Sequence, residues 1–132
     1  MLALPASGRL DSRLVPDSWH RLIGEDGTVL LDRVCFAHRL ATRTKGLIGR
    51  TSLEPGEALA FREKSIHMLF MRMSLDIVFV DRDLTVVKLV ERLRPWRFAA
   101  CASSRYVLEI APGDVERLGL GVGDRLRLEP PL

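Results

Sequence analysis

Between Ser65 and Asp81 three polar side chains, His67, Arg72 and Asp76, interrupt an otherwise apolar, strand-like run. Polar groups in such a setting need partners or a purpose. On either side the pattern resolves into short elements. Trp19–Ile23 and Thr28–Val34 are apolar runs joined through Asp26-Gly27, which predicts a hairpin. Ala41–Ile48, with Thr42 placed to cap it and glycines at 46 and 49, predicts a short helix or helical turn. The turn-rich stretch Leu53–Ala58 leads into a short strand at Ala58–Phe61. Leu75, Ile77 and Phe79 then alternate with Asp76, Val78 and Val80, and Asp81-Arg82-Asp83 turns the chain into Leu84–Val90 as a second hairpin. Tyr106–Ile110 predicts another strand, Asp114–Leu118 about one helical turn stopped by Gly119, and Arg125–Leu128 a closing strand after the turn Gly121–Asp124.

Runs apolar on both faces belong to the interior of a sandwich or barrel. Short strands, frequent turns and two brief helical pieces together predict a mainly β fold: a single-domain β sandwich or partly closed barrel with one or two short helices. That domain is expected over residues 18–132, with the aperiodic, Pro- and Gly-containing residues 1–17 as an N-terminal arm.

Composition narrows the class without naming a function. The chain has 132 residues, 47% of them hydrophobic and 28% charged, enough for one self-sufficient core. No apolar run approaches the roughly 20 residues that cross a bilayer. The first residues lack a basic leader and a secretory apolar segment, so a cytoplasmic location is expected. The net charge of +3 comes from basic residues, mostly arginine, interleaved with acids, as in Glu91-Arg92-Leu93-Arg94. Such interleaving reads as a solvated surface, and nucleic acid is not the expected partner. Cys35 and Cys101 sit among apolar or small residues and read as buried thiols, not as a disulfide framework.

Several separate motifs carry a resemblance. They are Lys45-Gly46-Leu47 followed by Gly49-Arg50, then His67 and Met71, then Asp76-Ile77 and Phe79, followed by Pro95, Leu108-Glu109, Gly113 and Gly123-Asp124. In this combination the chain resembles the domain-of-unknown-function 192 (DUF192) family from about Val34 to Leu128. Many relatives of that family carry Thr or Ser at the position of Met68 and Pro at that of Ser74. The resemblance implies a compact, largely β domain and supplies no reaction, cofactor or substrate.

The candidate chemistry is sparse. His67 with Asp76 could form an acid/base pair, yet nine residues of extended chain would hold them about 30 Å apart, so the chain must bend near Met71–Ser74. The alternative is structural: His67 binds a turn and Asp76 pairs with an arginine such as Arg72, Arg43 or Arg50. No serine has a nucleophile-elbow context, and neither cysteine has a setting that lowers a thiol pKa. Cys35 and His38 lack the further ligands of a zinc site, and the glycines match no phosphate-binding loop. No catalytic set, metal site or cofactor is expected. Met68, Met71 and Met73 with Phe70 fill core or line an adaptable groove, and Arg43, Lys45 and Arg50 form the densest basic cluster. The leading expectation is a module that binds a small molecule or peptide through His67, Arg72, Asp76, Arg43, Lys45, Arg50 and Met71. The alternatives are a hydrolase-like enzyme using His67 and Asp76, and weak nucleic-acid binding through Arg43, Lys45 and Arg50.

Overall fold

The computed structural model describes residues 18–37 and 53–132. The expected arm at 1–17, the helix at 41–48 and the cluster Arg43, Lys45 and Arg50 lie outside the described residues. The described residues form nine strands: β1 (Ser18–Ile23), β2 (Val29–Phe36), β3 (Glu57–Phe61), β4 (Ser65–His67), β5 (Leu75–Val80), β6 (Val86–Leu93), β7 (Phe98–Ala100), β8 (Tyr106–Ile110) and β9 (Arg127–Glu129). One helix, α1 (Asp114–Leu118), follows β8. No helix among the described residues is long and apolar enough to cross a membrane.

The expected hairpins form where the turn residues place them. Gly27, at φ 87, closes the β1–β2 turn, and Asp26 accepts the Thr28 N–H, which holds the Asp26 carboxyl below the usual carboxylate range. Asp81 caps the β5–β6 turn by accepting from the N–H groups of Asp83 and Thr85. α1 ends at Gly119 in the left-handed conformation, as its sequence predicts.

Seven strands make one sheet in the order β6-β5-β8-β3-β2-β1-β9, antiparallel throughout except for the β2–β3 pair. The sheet curls until its two edges touch. Val86 donates to Asp124 O at 2.9 Å, Leu126 to Leu84 O at 3.0 Å and Gly123 to Val86 O at 2.8 Å. These bonds, with a single bridge between Thr85 and Arg125, join the edges at one end only, so the fold is a partly closed, sandwich-like barrel.

Alternation along the strands builds two cores, one on each face of the sheet. The face inside the curl holds Leu31, Val34, Phe36, Val78, Leu108, Ile110 and Leu128, among others. The outer face presents Cys35, Leu59, Ile77, Phe79 and Val107 to a separate two-stranded ribbon, β4 with β7. That ribbon supplies Ile66 and Ala99 to the outer core, and Met68, Met71 and Met73 follow β4 into it. The methionines are therefore core filling. The sequence from Ser65 to Asp81 is not one extended run: β4 ends at His67, a turn intervenes, and β5 begins at Leu75. The break is the turn Met68–Met71, where Phe70 takes φ 64.

Candidate functional site

Asp76 is a fully buried carboxylate with hydrogen bonds to both of its oxygens. It is 0% exposed. Opposite it β6 carries one extra residue, because Leu75 pairs with Leu93 but Ile77 with Val90, and Arg92 in this bulge has φ 53. Asp76 Oδ1 accepts the Arg92 N–H at 2.8 Å, and Oδ2 accepts from Gly113 N at 3.1 Å and Val115 N at 2.9 Å. Among the described residues its partners are thus three backbone amides, and Arg72 is not one of them, while Arg43 and Arg50 lie outside the described residues. One carboxylate satisfies a strand bulge and the start of α1 together.

Asp76 alternates with Leu75 and Ile77, which face the outer core, so its side chain points to the inner face with Val78 and Val115. His67 lies on the ribbon that covers the outer face, exposed, its Nδ1 accepting the Leu69 N–H at 3.3 Å. The structure does not bring His67 and Asp76 together. Arg72 is exposed on the turn beyond β4, and Met71 is buried beneath it.

What the ribbon gathers instead is aromatic. In its antiparallel register Ser65 faces Ala100, Ile66 faces Ala99 and His67 faces Phe98. The middle pair is buried, so the outer pairs share the opposite, exposed face, and Phe98 there is 80% exposed. Two turns extend this face. Met71 N donates to Met68 O and Arg97 N to Arg94 O, both at 3.2 Å. The third residue of each turn is left-handed: Phe70 at φ 64 and Trp96 at φ 67. With Pro95 second in its turn, the 94–97 segment has the signature of a type II turn, whose third position ordinarily goes to glycine or asparagine. Met68 locks the turns to each other, its O accepting from Trp96 N at 2.8 Å and its N donating to Arg97 O at 2.7 Å.

The consequence is a ring pair on the surface. Phe70 and Trp96 lie 5.0 Å apart at 60°, edge to face, while remaining 63% and 56% exposed. Placing a residue with a Cβ in the left-handed region costs about 1 kcal/mol each time. The chain bears that cost twice in adjacent turns, for side chains that add little to the core. The sequence signal was Arg94-Pro95-Trp96-Arg97-Phe98, a basic and aromatic run whose proline marks a turn.

Two other places are weaker. An open crevice of about 300 Å³ is lined by Asp32, Arg33, Pro55, Gly56 and Arg117, but Arg33 is engaged by Pro55 O and Asp32, and Arg117 by Asp114. That last bond raises the Arg117 pKa above its ordinary value. The space inside the barrel, between Leu22, Phe36, Tyr106 and Leu126, admits about 10 Å³, too little for more than one water. Among the described residues no group of three or more His, Cys, Asp or Glu could hold a metal ion.

Comparison with known proteins gives a consistent picture. The DUF192 family model, described as "Uncharacterized ACR", matches residues 22–128. A UPF0127 protein of Thermococcus sibiricus is 39% identical over 111 residues, 78% of this chain and 70% of that protein. One from Pyrococcus furiosus is 41% identical over 63 residues, 47% of this chain and 53% of the relative. Among solved structures, a Sinorhizobium meliloti protein described as a candidate transcription regulator superposes with a TM-score of 0.73 at 28% identity, covering 87% of this chain and 97% of its own. A Novosphingobium aromaticivorans protein of unknown function superposes at 0.70 and 25% identity, covering 95% and 99%.

Proposed function

This chain belongs to the DUF192 family, in which no activity is established, and we propose that it is a non-catalytic binding module whose ligand rests on the aromatic face of the ribbon. Phe70, Trp96 and Phe98 form the contact surface, with His67 and Arg72 at its border. The observation that carries this reading is the pair of left-handed turns that hold Phe70 against Trp96 at the surface. Conformational cost spent away from the core is characteristic of ligand clamps. Exposed, rigid aromatic rings supply contact area at little loss of side-chain freedom. His67 contributes a second ring nitrogen, Nε2, because Nδ1 is engaged by the Leu69 amide. Asp76 takes part only by fixing the start of β5 and the bulge before the 94–97 turn.

The expected ligand class is a small molecule, or a segment of a larger chain, that presents a flat or apolar group. Arg43, Lys45 and Arg50, the densest basic cluster of the sequence, belong to the proposal as further cations for the ligand. The description of the Sinorhizobium meliloti neighbour as a candidate transcription regulator is compatible with a role in binding.

The chain has two tryptophans, Trp19 and Trp96, so Trp19→Phe leaves Trp96 as a single reporter on the face. Titration of that variant with nucleotides, oligonucleotides, sugars and peptides is expected to quench or shift its emission for at least one class, and Phe98→Ser should abolish the response. A ligand that binds tightly while the Trp96 emission stays constant, and whose affinity survives Phe98→Ser, would place the site elsewhere.

A further inference from the structure

The ribbon's surroundings carry a charge pattern that the chain as a whole conceals. Between Ser65 and Ser74, and again between Arg92 and Arg105, the sequence contains no Asp or Glu. These two segments contain the turns that hold Phe70 and Trp96, and Arg72, Arg94 and Arg97 lie in or beside those turns in sequence, all exposed. Some guanidinium groups elsewhere are matched: Arg21 and Arg127 pair with Glu129, Arg33 with Asp32 and Arg117 with Asp114. Among the described residues none pairs with Arg72, Arg94 or Arg97. The acids that interleave with arginine along the sequence lie outside these segments, so the expectation against nucleic acid, which rested on that interleaving, does not apply to this face.

Unpaired arginines between solvent-facing rings suit one kind of ligand better than others. The rings offer faces and edges for flat groups, and Arg94 and Arg97 flank Trp96 in sequence, so positive charge and stacking surface alternate over a few residues. A single-stranded nucleic acid alternates phosphates with unpaired bases on a similar scale, and proteins that bind it without reading sequence combine these two elements. A duplex hides its bases, an acidic peptide brings charge without flat rings, and a lipid surface presents headgroup charge without flat groups to stack. Resting on the aromatic face proposed above, we infer that the ribbon binds single-stranded nucleic acid, with bases stacked on Phe70, Trp96 and Phe98 and phosphates held by Arg72, Arg94 and Arg97.

The test measures fluorescence anisotropy of a labelled oligothymidylate and a mixed-sequence single strand, beside the matching duplex, a polyglutamate peptide and phosphatidylserine vesicles. All are run on the Trp19→Phe protein, with Trp96 emission followed in parallel. Single strands should bind more tightly than the duplex and quench Trp96. Trp96→Ala should weaken binding about tenfold or more, with Trp96→Phe restoring much of it, because a lost base–ring stack has an effect of that size. Phe98→Ser, at a fully solvated position, repeats the test with the fold untouched. The double substitution Arg94→Gln, Arg97→Gln should lower the slope of log affinity against log salt by about 1.4, since each phosphate contact on a single strand contributes about 0.7. Equal binding of duplex and single strand, insensitive to Trp96→Ala, would overturn the inference, as would preference for the peptide or the vesicles. In the latter case a Trp96 response would preserve the binding face while removing nucleic acid from it. A Trp96 emission indifferent to every probe would remove both the inference and the reading beneath it.

Discussion

Around Asp76 a buried carboxylate meets three backbone amides, and the strand bulge and helix start it joins have their donors satisfied inside the protein. Around Phe70 and Trp96 the backbone is held in a costly conformation, the rings face water, and among the described residues no carboxylate pairs with the neighbouring arginines. Both regions border the same connection, residues 68–74, and both use positive-φ residues, Arg92 in one and Phe70 and Trp96 in the other. The difference lies in what the strain achieves. At Arg92 it lets a bulge amide reach Asp76, so the cost is recovered within the fold. At Phe70 and Trp96 the ring contact and the Met68 hydrogen bonds hold the turns, but the rings themselves stay largely in water. A polar residue in an apolar run is therefore a poor guide to function until its partners are known, and an exposed aromatic in a glycine position is a better one.

That contrast can be broken at five residues. Asp76→Ala should have the largest effect, a loss of about 3 kcal/mol or more in urea unfolding, because it takes the acceptor from three backbone amides and empties a fully buried site. A loss below about 1 kcal/mol would mean that water replaces the carboxylate and that Asp76 is not a structural hub. Gly113→Ala should cost about 1–2 kcal/mol: Gly113 has φ 92, and an added Cβ would lie 3.4 Å from the Arg92 guanidinium. Trp96→Gly and Phe70→Gly should each leave stability unchanged or raise it by up to about 1 kcal/mol as backbone strain is relieved, while ligand binding is lost. If either instead destabilised the domain by about 2 kcal/mol, the rings would be structural and the contrast would fail. His67→Ala should be the mildest, shifting stability by less than about 0.5 kcal/mol, with any effect confined to binding.

Local chemistry made much of the fold legible. Asp26-Gly27, Asp81-Arg82-Asp83 and Gly119 each dictate a turn or a stop from a few adjacent residues, and the two-faced apolar pattern of β5 correctly implied core on both sides. Tyr106–Ile110 and Asp114–Leu118 fall where their periodicity puts them. The closing strand is displaced, running Arg127–Glu129 with Arg125 only bridged to Thr85, because the joining of the two sheet edges, not alternation alone, sets its register. The parallel β2–β3 pair and the ribbon's place outside the sheet depend on contacts between distant segments, which no local pattern encodes.

The candidate residues were legible as types and not as a constellation. His67, Arg72 and Asp76 are all polar interruptions, but one turn sends His67 and Asp76 to opposite faces, and Met71 goes to the core. Trp96 and Phe98 were overlooked because aromatic residues near a proline look like ordinary strand ends. Their significance depends on a dihedral angle that the sequence shows only as a proline in the second position of a turn.

The joining of the barrel edges bears on how the protein is made. β1 is among the first described strands to leave the ribosome, yet its outer neighbour, β9, is the last, and the segment 123–126 that meets 84–86 immediately precedes it. Until that segment emerges, the nascent chain carries two unpaired edges, β1 and the start of β6, and an open route to the inner face. Unpaired edges invite pairing between chains. Ribosome-bound chains exposed only as far as residue 121 should therefore engage holdase chaperones, and those whose residue 129 has cleared the exit tunnel should release them, which places closure after the pairing of the earlier described strands.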